Sequence, residues 1–267
     1  MKGLCQDMWE ECVELARLSA GMAPAAWCWH TDFYGWTPFD EIAHLALFDK
    51  FALLAVGDAE QFLRERSVLE EKLAQGVEIS EVAAQRYAAL DGPALLQSWQ
   101  EQCARLVGVL QTTDPKARVP WFGPDMSVRS FATARLMETW AHGQDIYDLL
   151  HCRRATTSRL CHIAHLGVAT YQWTFSNRGL RQPGYRPYVE LSACGAETWT
   201  WGEASAESFV RGTALDFCLV VTQRRHYTDT TLRVGGRVAR EWLEIAQCFA
   251  GPPADGPGPG KRKSGCF

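Results

Sequence analysis

The sequence lacks any long apolar run and any excess of basic charge. No hydrophobic stretch approaches the ~18 residues that suggest a membrane-spanning helix. Acidic residues stand in the N-terminal stretch MKGLCQDMWEECVEL, where a signal peptide needs an apolar block. A net charge of −4 and a pI of about 6.0 argue against a nucleic-acid-binding surface, which is basic. We therefore expect a cytoplasmic protein with neither a membrane nor a nucleic acid as its partner.

Motifs for nucleotide cofactors and for clustered thiols are also missing. The sequence has no GxGxxG, P-loop, GxSxG or kinase signature, so nucleotide cofactors are not expected. None of the ten cysteines belongs to a CxxC pair. A chain of 267 residues can fold without disulfides, and we interpret the cysteines as free thiols that mostly serve as small core residues.

Helical patterns dominate the first 150 residues. A helix is predicted over 4–20, ending at Gly21, and another over 38–56, with Thr37 as N-cap and Asp40 at the capping-box position. Charged, helix-favouring sequence follows up to residue 90. Further helices are predicted from the DGP turn at 91–93 and over about 128–151, the latter capped by Ser127. This region therefore predicts a bundle of four or more helices.

The second part of the chain mixes helical and β patterns, so the fold class is α+β. YVELSACG and ETWTWGE predict a hairpin, TLRVGG a strand, and VAREWLEIAQCFAG a final helix ended by Gly251. ALDFCLVVTQRRH could be a helix or a buried strand. We place domain boundaries at 1–152 and 153–252, and predict a disordered Pro/Gly-rich tail over 253–267.

One helix carries polar groups on an otherwise apolar surface. In RLMETWAHGQDIYDLL, Glu138, His142 and Asp145 are spaced four and three apart, so they share a helical face. Burying a carboxylate and an imidazole requires a partner, and a divalent metal can satisfy both. The ExxxH spacing alone equally fits a surface Glu–His pair or a core histidine held by a carboxylate. His44 lies on an apolar stripe of the 38–56 helix, and with Glu138 and His142 it would complete a His₂Glu ligand set.

These two segments resemble a known family. GWTPFDEIAHLALFD and METWAHGQDIYD are similar to the two ligand segments of the DinB-like metal-binding superfamily, in particular the branch containing mycothiol-dependent maleylpyruvate isomerase. The later segments RGTALDFCLVVTQRRH and EWLEIAQCFAGPP are similar to an uncharacterised metal-binding subgroup of that branch. The resemblance extends over about residues 5–253.

The resemblance implies a fold and a site. It implies an N-terminal DinB-like four-helix bundle, with a divalent metal, most often Zn²⁺, bound by His44, Glu138 and His142. It also implies a C-terminal domain similar to sterol-carrier-protein-2 folds. An arginine of that domain helps form the site in the isomerase branch, and the matching position is Arg224, with Arg225 as the alternative. The branch has Leu-x-Gly-Arg there, whereas this chain has Thr222 and Gln223 before the arginine.

Groups around the metal are also predicted. Asp145, which we also take as a candidate catalytic residue together with Arg224, could accept a hydrogen bond from the histidine nitrogen that does not bind metal. Asp40 could do the same, but capping the helix is the favoured role for it. Aromatic residues flank the loops before the two ligand helices: Trp27, Trp29, Trp36, Trp121 and Phe122. They could form an aromatic rim over an apolar substrate, or they could pack in the core and between the domains. CHIAH, with His162 and His165, is a weaker candidate for a second metal.

The expected function is a metal-dependent enzyme acting on a small molecule. By resemblance, a low-molecular-weight thiol such as mycothiol would attack a small electrophilic or carboxylate-bearing substrate, giving an isomerase or an S-transferase. The alternatives are a hydrolase or lyase that uses metal-bound water, and a non-catalytic binding protein in which Asp145 supplies a fourth ligand. The metal could also be Ni, Fe or Mn, and we expect a monomer or a homodimer.

Overall fold

The computed structural model describes residues 1–195 and 197–262 and is a helix-rich α+β protein. It divides into two compact units, of which the first is Met1–Cys152 and the second begins at Arg153. Within the described ranges, no helix combines the length and the apolar character that crossing a membrane requires.

Helices build the first unit. They are α1 (Lys2–Ala20), α2 (Pro38–Gly57), α3 (Ala59–Ala74), α4 (Ile79–Arg86), α5 (Gly92–Thr112) and α6 (Val128–Leu149). A 3-10 helix, Pro24–Cys28, lies between α1 and α2, and two short antiparallel strands, β1 (Arg118–Val119) and β2 (Met126–Ser127), precede α6.

The core of the first unit lies among its four longest helices. α1 packs against α5 and α6, and α2 packs against the same two helices as well as against α3 and α4. The apolar spacing of α1 explains its buried face, which consists of Leu4, Met8, Cys12 and Leu15 among others. The finer assignment to a DinB-like four-helix bundle stays a prediction.

Local sequence fixes where the ligand-bearing helices begin. The side chain of Thr37 accepts a hydrogen bond from the backbone N–H of Asp40, and Asp40 Oδ2 accepts one from the Thr37 N–H, so the predicted capping box is present. Ser127 caps α6 through the N–H of Ser130. Both caps confirm the predictions, and they set the first turn of each helix.

The expectation that all cysteines are free thiols is wrong for one pair. A disulfide joins Cys12 of α1 to Cys103 of α5, and both residues are completely buried. The two positions are 91 residues apart, so sequence spacing gives no hint of the pairing. The pairing arises from the packing of α1 on α5. Cys266 lies outside the described residues.

A small sheet and short helices form the second unit. The helices are α7 (Leu160–Ala169), α8 (Tyr171–Ser176), α9 (Ala214–Val221) and α10 (Arg237–Ile245), with a 3-10 turn at Tyr227–Asp229. The sheet order is β4-β3-β5-β6, with strands β3 (Tyr188–Ser192), β4 (Thr198–Trp201), β5 (Phe209–Thr213) and β6 (Arg233–Gly235). β3 is antiparallel to β4 and parallel to β5, and β5 is antiparallel to β6.

The structure refines several predictions for this unit. The β3–β4 hairpin and the strand in TLRVGG are confirmed, but β5 was not predicted. ALDFCLVVTQRRH is helical only to Val221, and α10 ends at Ile245 rather than at Gly251. Similarity to sterol-carrier-protein-2 folds stays a prediction.

The predicted tail lies partly outside the described residues, which end at 262. Ala254 accepts a hydrogen bond from Gln223 Nε2 at 2.7 Å, and Asp255 accepts one from Arg178 Nη1 at 2.9 Å.

Candidate metal centre

The structure brings the three predicted metal ligands together. α2 supplies His44, and α6 supplies Glu138 and His142 one turn apart. Glu138 Oε2 lies 3.2 Å from His142 Nε2 and 4.0 Å from His44 Nε2. One potential ligand atom from each residue lies within 4.8 Å of the others. Two helices that are about 90 residues apart along the chain therefore converge on one point.

The donor set suits a divalent cation. Two imidazole nitrogens and one carboxylate oxygen match the three-ligand arrangement of catalytic zinc, and atoms bound to one Zn²⁺ at roughly 2 Å lie about 3–4 Å apart. The His44 and Glu138 side chains remain 13% and 20% exposed, so one side of the cluster can be reached from solvent. These three residues could hold a metal ion and leave a position for a substrate or a thiol.

Glu41 is a functional candidate that the sequence analysis missed. It is completely buried on α2, and its Oε2 lies 2.6 Å from His142 Nδ1, the ring nitrogen remote from Glu138. Its Oε1 lies 3.5 Å from the hydroxyl of Thr31. Helical spacing indicates that Glu41, three residues before His44, shares a face with it. That spacing does not reveal that the partner of Glu41 is His142, on another helix.

The other two carboxylates proposed around the histidines have different positions. The side chain of Asp40 takes part in the capping box of α2, so the observed role is the predicted capping role. Asp145 is completely buried and groups with Glu41 and His142, not with His44 and Glu138. Its role as a catalytic group or a fourth ligand stays a prediction.

Aromatic rings surround the two histidines. Trp36 stacks on His142 with ring centroids 5.7 Å apart and also contacts His44 at 5.2 Å. Phe48 contacts His44 at 4.6 Å and continues to Phe122 at 5.3 Å. Apolar walls lower the local dielectric and strengthen polar interactions inside them. Trp36 and Phe122 therefore lie where an aromatic rim was predicted, whereas Trp121 is buried behind them.

A buried ion pair lies next to the candidate ligands. Arg135 Nε on α6 donates to Asp49 Oδ1 on α2 at 3.0 Å, and Trp99 Nε1 on α5 donates to Asp49 Oδ2 at 3.0 Å. Burial raises the pKa of the Asp49 carboxyl, and the negative charge of Glu138 raises it further. The charge and hydrogen bond of Arg135, together with the hydrogen bond of Trp99, oppose that rise. This network joins three helices and was not predicted.

The two candidate arginines lie in the second unit, just after α9. Gln223 adopts a left-handed conformation with φ of 59°, which ends the helix before them. Arg224 Nη1 donates to the carbonyl of Thr222 at 2.7 Å, and Arg225 Nη1 donates to the carbonyl of Arg224 at 2.8 Å. Both arginines are buried. Both arginines lie beyond the end of α9, and their role at the site stays a prediction.

The histidines of CHIAH do not join a metal cluster in the described part of the chain. His165 Nδ1 accepts a hydrogen bond from Trp201 Nε1 at 3.3 Å, and the groups able to hold a metal consist of residues from the first unit. A second metal at CHIAH stays a prediction.

Comparison with known families identifies the first unit. The model of the mycothiol maleylpyruvate isomerase N-terminal domain matches residues 8–147, which is more than half of the chain. The chain belongs to the mycothiol maleylpyruvate isomerase N-terminal domain family. The matched range contains His44, Glu138 and His142, together with Glu41.

Sequence similarity to two relatives extends over nearly the whole chain. Two uncharacterized proteins of Mycobacterium tuberculosis, from strains CDC 1551 and H37Rv, are each 40% identical over 250 residues, covering 94% of this chain and 96% of theirs. The second unit is therefore shared with these relatives as well.

Solved structures of the same family have a similar fold. The crystal structure of the mycothiol-dependent maleylpyruvate isomerase and that of a histidine-to-alanine mutant both give a TM-score of 0.55. Each match covers 84% of this chain and 89% of the other, at 16% sequence identity. At that identity the likeness concerns the fold.

Proposed function

We propose that this protein is a metal-dependent enzyme that uses a low-molecular-weight thiol, such as mycothiol, on a small electrophilic or carboxylate-bearing substrate. The reaction is an isomerisation if the thiol leaves again after bond rotation, and an S-transfer if it stays attached. The observation that carries the proposal is the convergence of His44, Glu138 and His142 within the segment that matches the isomerase family.

The donor set determines what chemistry is available. A divalent ion, with Zn²⁺ as the first choice, would supply a Lewis acid that favours the thiolate form of a bound thiol. His44 and Glu138 are the partly exposed members of the set, so they face the side from which small molecules can enter. Trp36 and Phe48 pack on the histidines and keep water away from their ring faces.

Two further groups complete the proposal. Arg224, with Arg225 as the alternative, would hold a carboxylate of the substrate or of the thiol, because a guanidinium binds carboxylates through paired hydrogen bonds. Asp145 is the candidate for moving a proton near His142, since its carboxylate groups with that of Glu41 and with the ring of His142. Both roles rest on the family resemblance together with the positions of these residues within their own units.

The first experiment measures metal content and thiol dependence together. The purified protein is analysed for bound Zn, Ni, Fe and Mn, and is then assayed on maleylpyruvate with and without mycothiol by absorbance. Thiol adducts are sought by mass spectrometry with a panel of small electrophiles. We expect about one divalent ion per chain and turnover or adduct formation that requires the thiol.

His142→Ala and His44→Ala should each lose the ion and the activity, because three ligands cannot be reduced to two without a large loss of affinity. His165→Ala, which removes an exposed histidine of the second unit, is the matched control and should retain both. A protein that stays ion-free after incubation with each metal contradicts the proposal. Thiol-independent hydrolysis of a substrate would instead favour chemistry by metal-bound water.

A further inference from the structure

Each nitrogen of the His142 ring has a glutamate carboxylate close to it, and Asp145 groups with the Glu41 side. Nε2 is 3.2 Å from Glu138 Oε2, and Nδ1 is 2.6 Å from Glu41 Oε2. His142 is 4% exposed and Glu41 is 0% exposed, so no bulk water competes for this contact. The Glu138 side faces the candidate ion, whereas the Glu41 side points into the protein core.

The chemistry of a carboxylate decides where the ring proton lies. An ionised carboxylate only accepts hydrogen bonds, so the 2.6 Å contact between Glu41 Oε2 and His142 Nδ1 favours the tautomer that carries its hydrogen on Nδ1 when a metal ion occupies the Nε2 side. A neutral imidazole has one such hydrogen, and placing it on Nδ1 leaves the lone pair of Nε2 available as a ligand. Without this acceptor, the ring could exchange tautomers or rotate, and the ligand atom would no longer be fixed.

We infer that Glu41 is a positioning residue, which fixes the tautomer and orientation of His142 so that Nε2 faces the metal position. This inference rests on the proposed metal-dependent function. α2 thus supplies one ligand directly, His44, and orients a second ligand that belongs to α6. The two contributions are one helical turn apart on α2, so the placement of that helix governs two of the three ligands.

The neighbouring residue provides a matched control. Asp40 has the same charge and belongs to the same first turn of α2, but its side chain caps the helix instead of contacting His142. Glu41→Gln and Asp40→Asn therefore remove the same charge from the same turn with nearly isosteric side chains. Asparagine can also accept at that position, so the helix start should be preserved.

Two measurements test the role of Glu41. Zn²⁺ affinity is determined by competition with a chromophoric chelator for the wild type and both variants. The Nδ1–H proton of His142 is observed by NMR in metal-free and zinc-loaded protein. Glu41→Gln should weaken Zn²⁺ binding by about 10- to 100-fold, as measured for other carboxylates that orient metal-bound histidines. It should also shift the Nδ1–H resonance upfield, because a neutral amide accepts a weaker hydrogen bond.

Asp40→Asn should change neither the Zn²⁺ affinity nor that resonance. Thermal melting of the metal-free variants shows that each one is folded, and a purely structural role for Glu41 would lower the melting temperature but leave zinc affinity unchanged. Equal zinc affinity of wild type and Glu41→Gln overturns the inference about Glu41 alone. A wild-type protein that binds no zinc overturns the proposed function itself.

Discussion

Replacing Arg135 tests how much the buried ion pair between Arg135 and Asp49 contributes to the free energy of unfolding. Asp49 is 0% exposed and Arg135 is 2% exposed, and a single guanidinium contact and a single indole contact satisfy the carboxylate. Arg135→Met keeps much of the side-chain volume but leaves the Asp49 carboxylate with the Trp99 indole as its side-chain donor. Losing one partner of a buried pair costs about 3–5 kcal/mol, because the other charge remains without compensation.

The pH dependence of this loss has a definite sign. Burial already raises the folded-state pKa of Asp49, and Arg135 limits that rise. A group whose folded pKa is raised contributes stability below its unfolded pKa of about 3.9 and loses that contribution as pH rises through the folded pKa. The variant has a still higher folded pKa, so its deficit should be largest at neutral pH and should shrink in mildly acidic buffer.

Urea unfolding followed by circular dichroism measures the deficit at both pH values. The double variant Asp49→Leu, Arg135→Met is the control and should recover most of the stability, because it leaves no charge unpaired. A deficit of Arg135→Met well below about 1 kcal/mol at neutral pH, within the range of exposed ion pairs, would refute the reasoning. So would a deficit that grows on acidification.

Three further predictions concern the first unit. Thr37→Ala removes the cap of α2 and should cost about 1 kcal/mol, seen in calorimetry as a melting temperature lower by roughly 2–4 °C; no change would mean that the cap is not needed to start the helix. Gly92→Ala places a methyl group against the Trp27 indole and should destabilise by about 1–3 kcal/mol, whereas Gly108→Ala on the same helix meets open space and should be neutral or stabilising. Reducing the Cys12–Cys103 disulfide should lower the free energy of unfolding by about 2–4 kcal/mol; peptide mapping without reductant that finds both thiols free would contradict the pairing.

Patterns of short range were readable from the sequence. Thr37, Pro38 and Asp40 define the start of α2 because capping depends on residues within one turn of each other. Glu138 and His142 share a face because helical geometry fixes four-residue spacing. The strand-forming segments of the β3–β4 hairpin were readable for the same reason, since alternation and turn residues act locally.

Contacts between distant segments were not readable in the same way. β5 pairs in parallel with β3, and parallel neighbours leave no turn signal between them. Asp49 and Lys50 are adjacent in the otherwise apolar stretch LALFDKFALL. Only the packing of α2 against α5 and α6 reveals that Arg135 and Trp99, rather than Lys50, contact the Asp49 carboxylate. The choice of Glu41 over Asp40 as the partner of His142 is likewise a matter of how α2 faces α6.

The sequence by itself therefore determined the main helices, the caps of α2 and α6, and the Glu138–His142 pair, because each depends on residue type and on spacing within a few turns. His44, on another helix, was added to that pair through its apolar stripe and the family resemblance. Only the tertiary structure decided which buried groups contact His142 and Asp49. The partners of His142 and Asp49 lie 101 and 86 residues away in the chain. Burial makes such contacts necessary, since a polar group removed from water must find its partner wherever packing brings one.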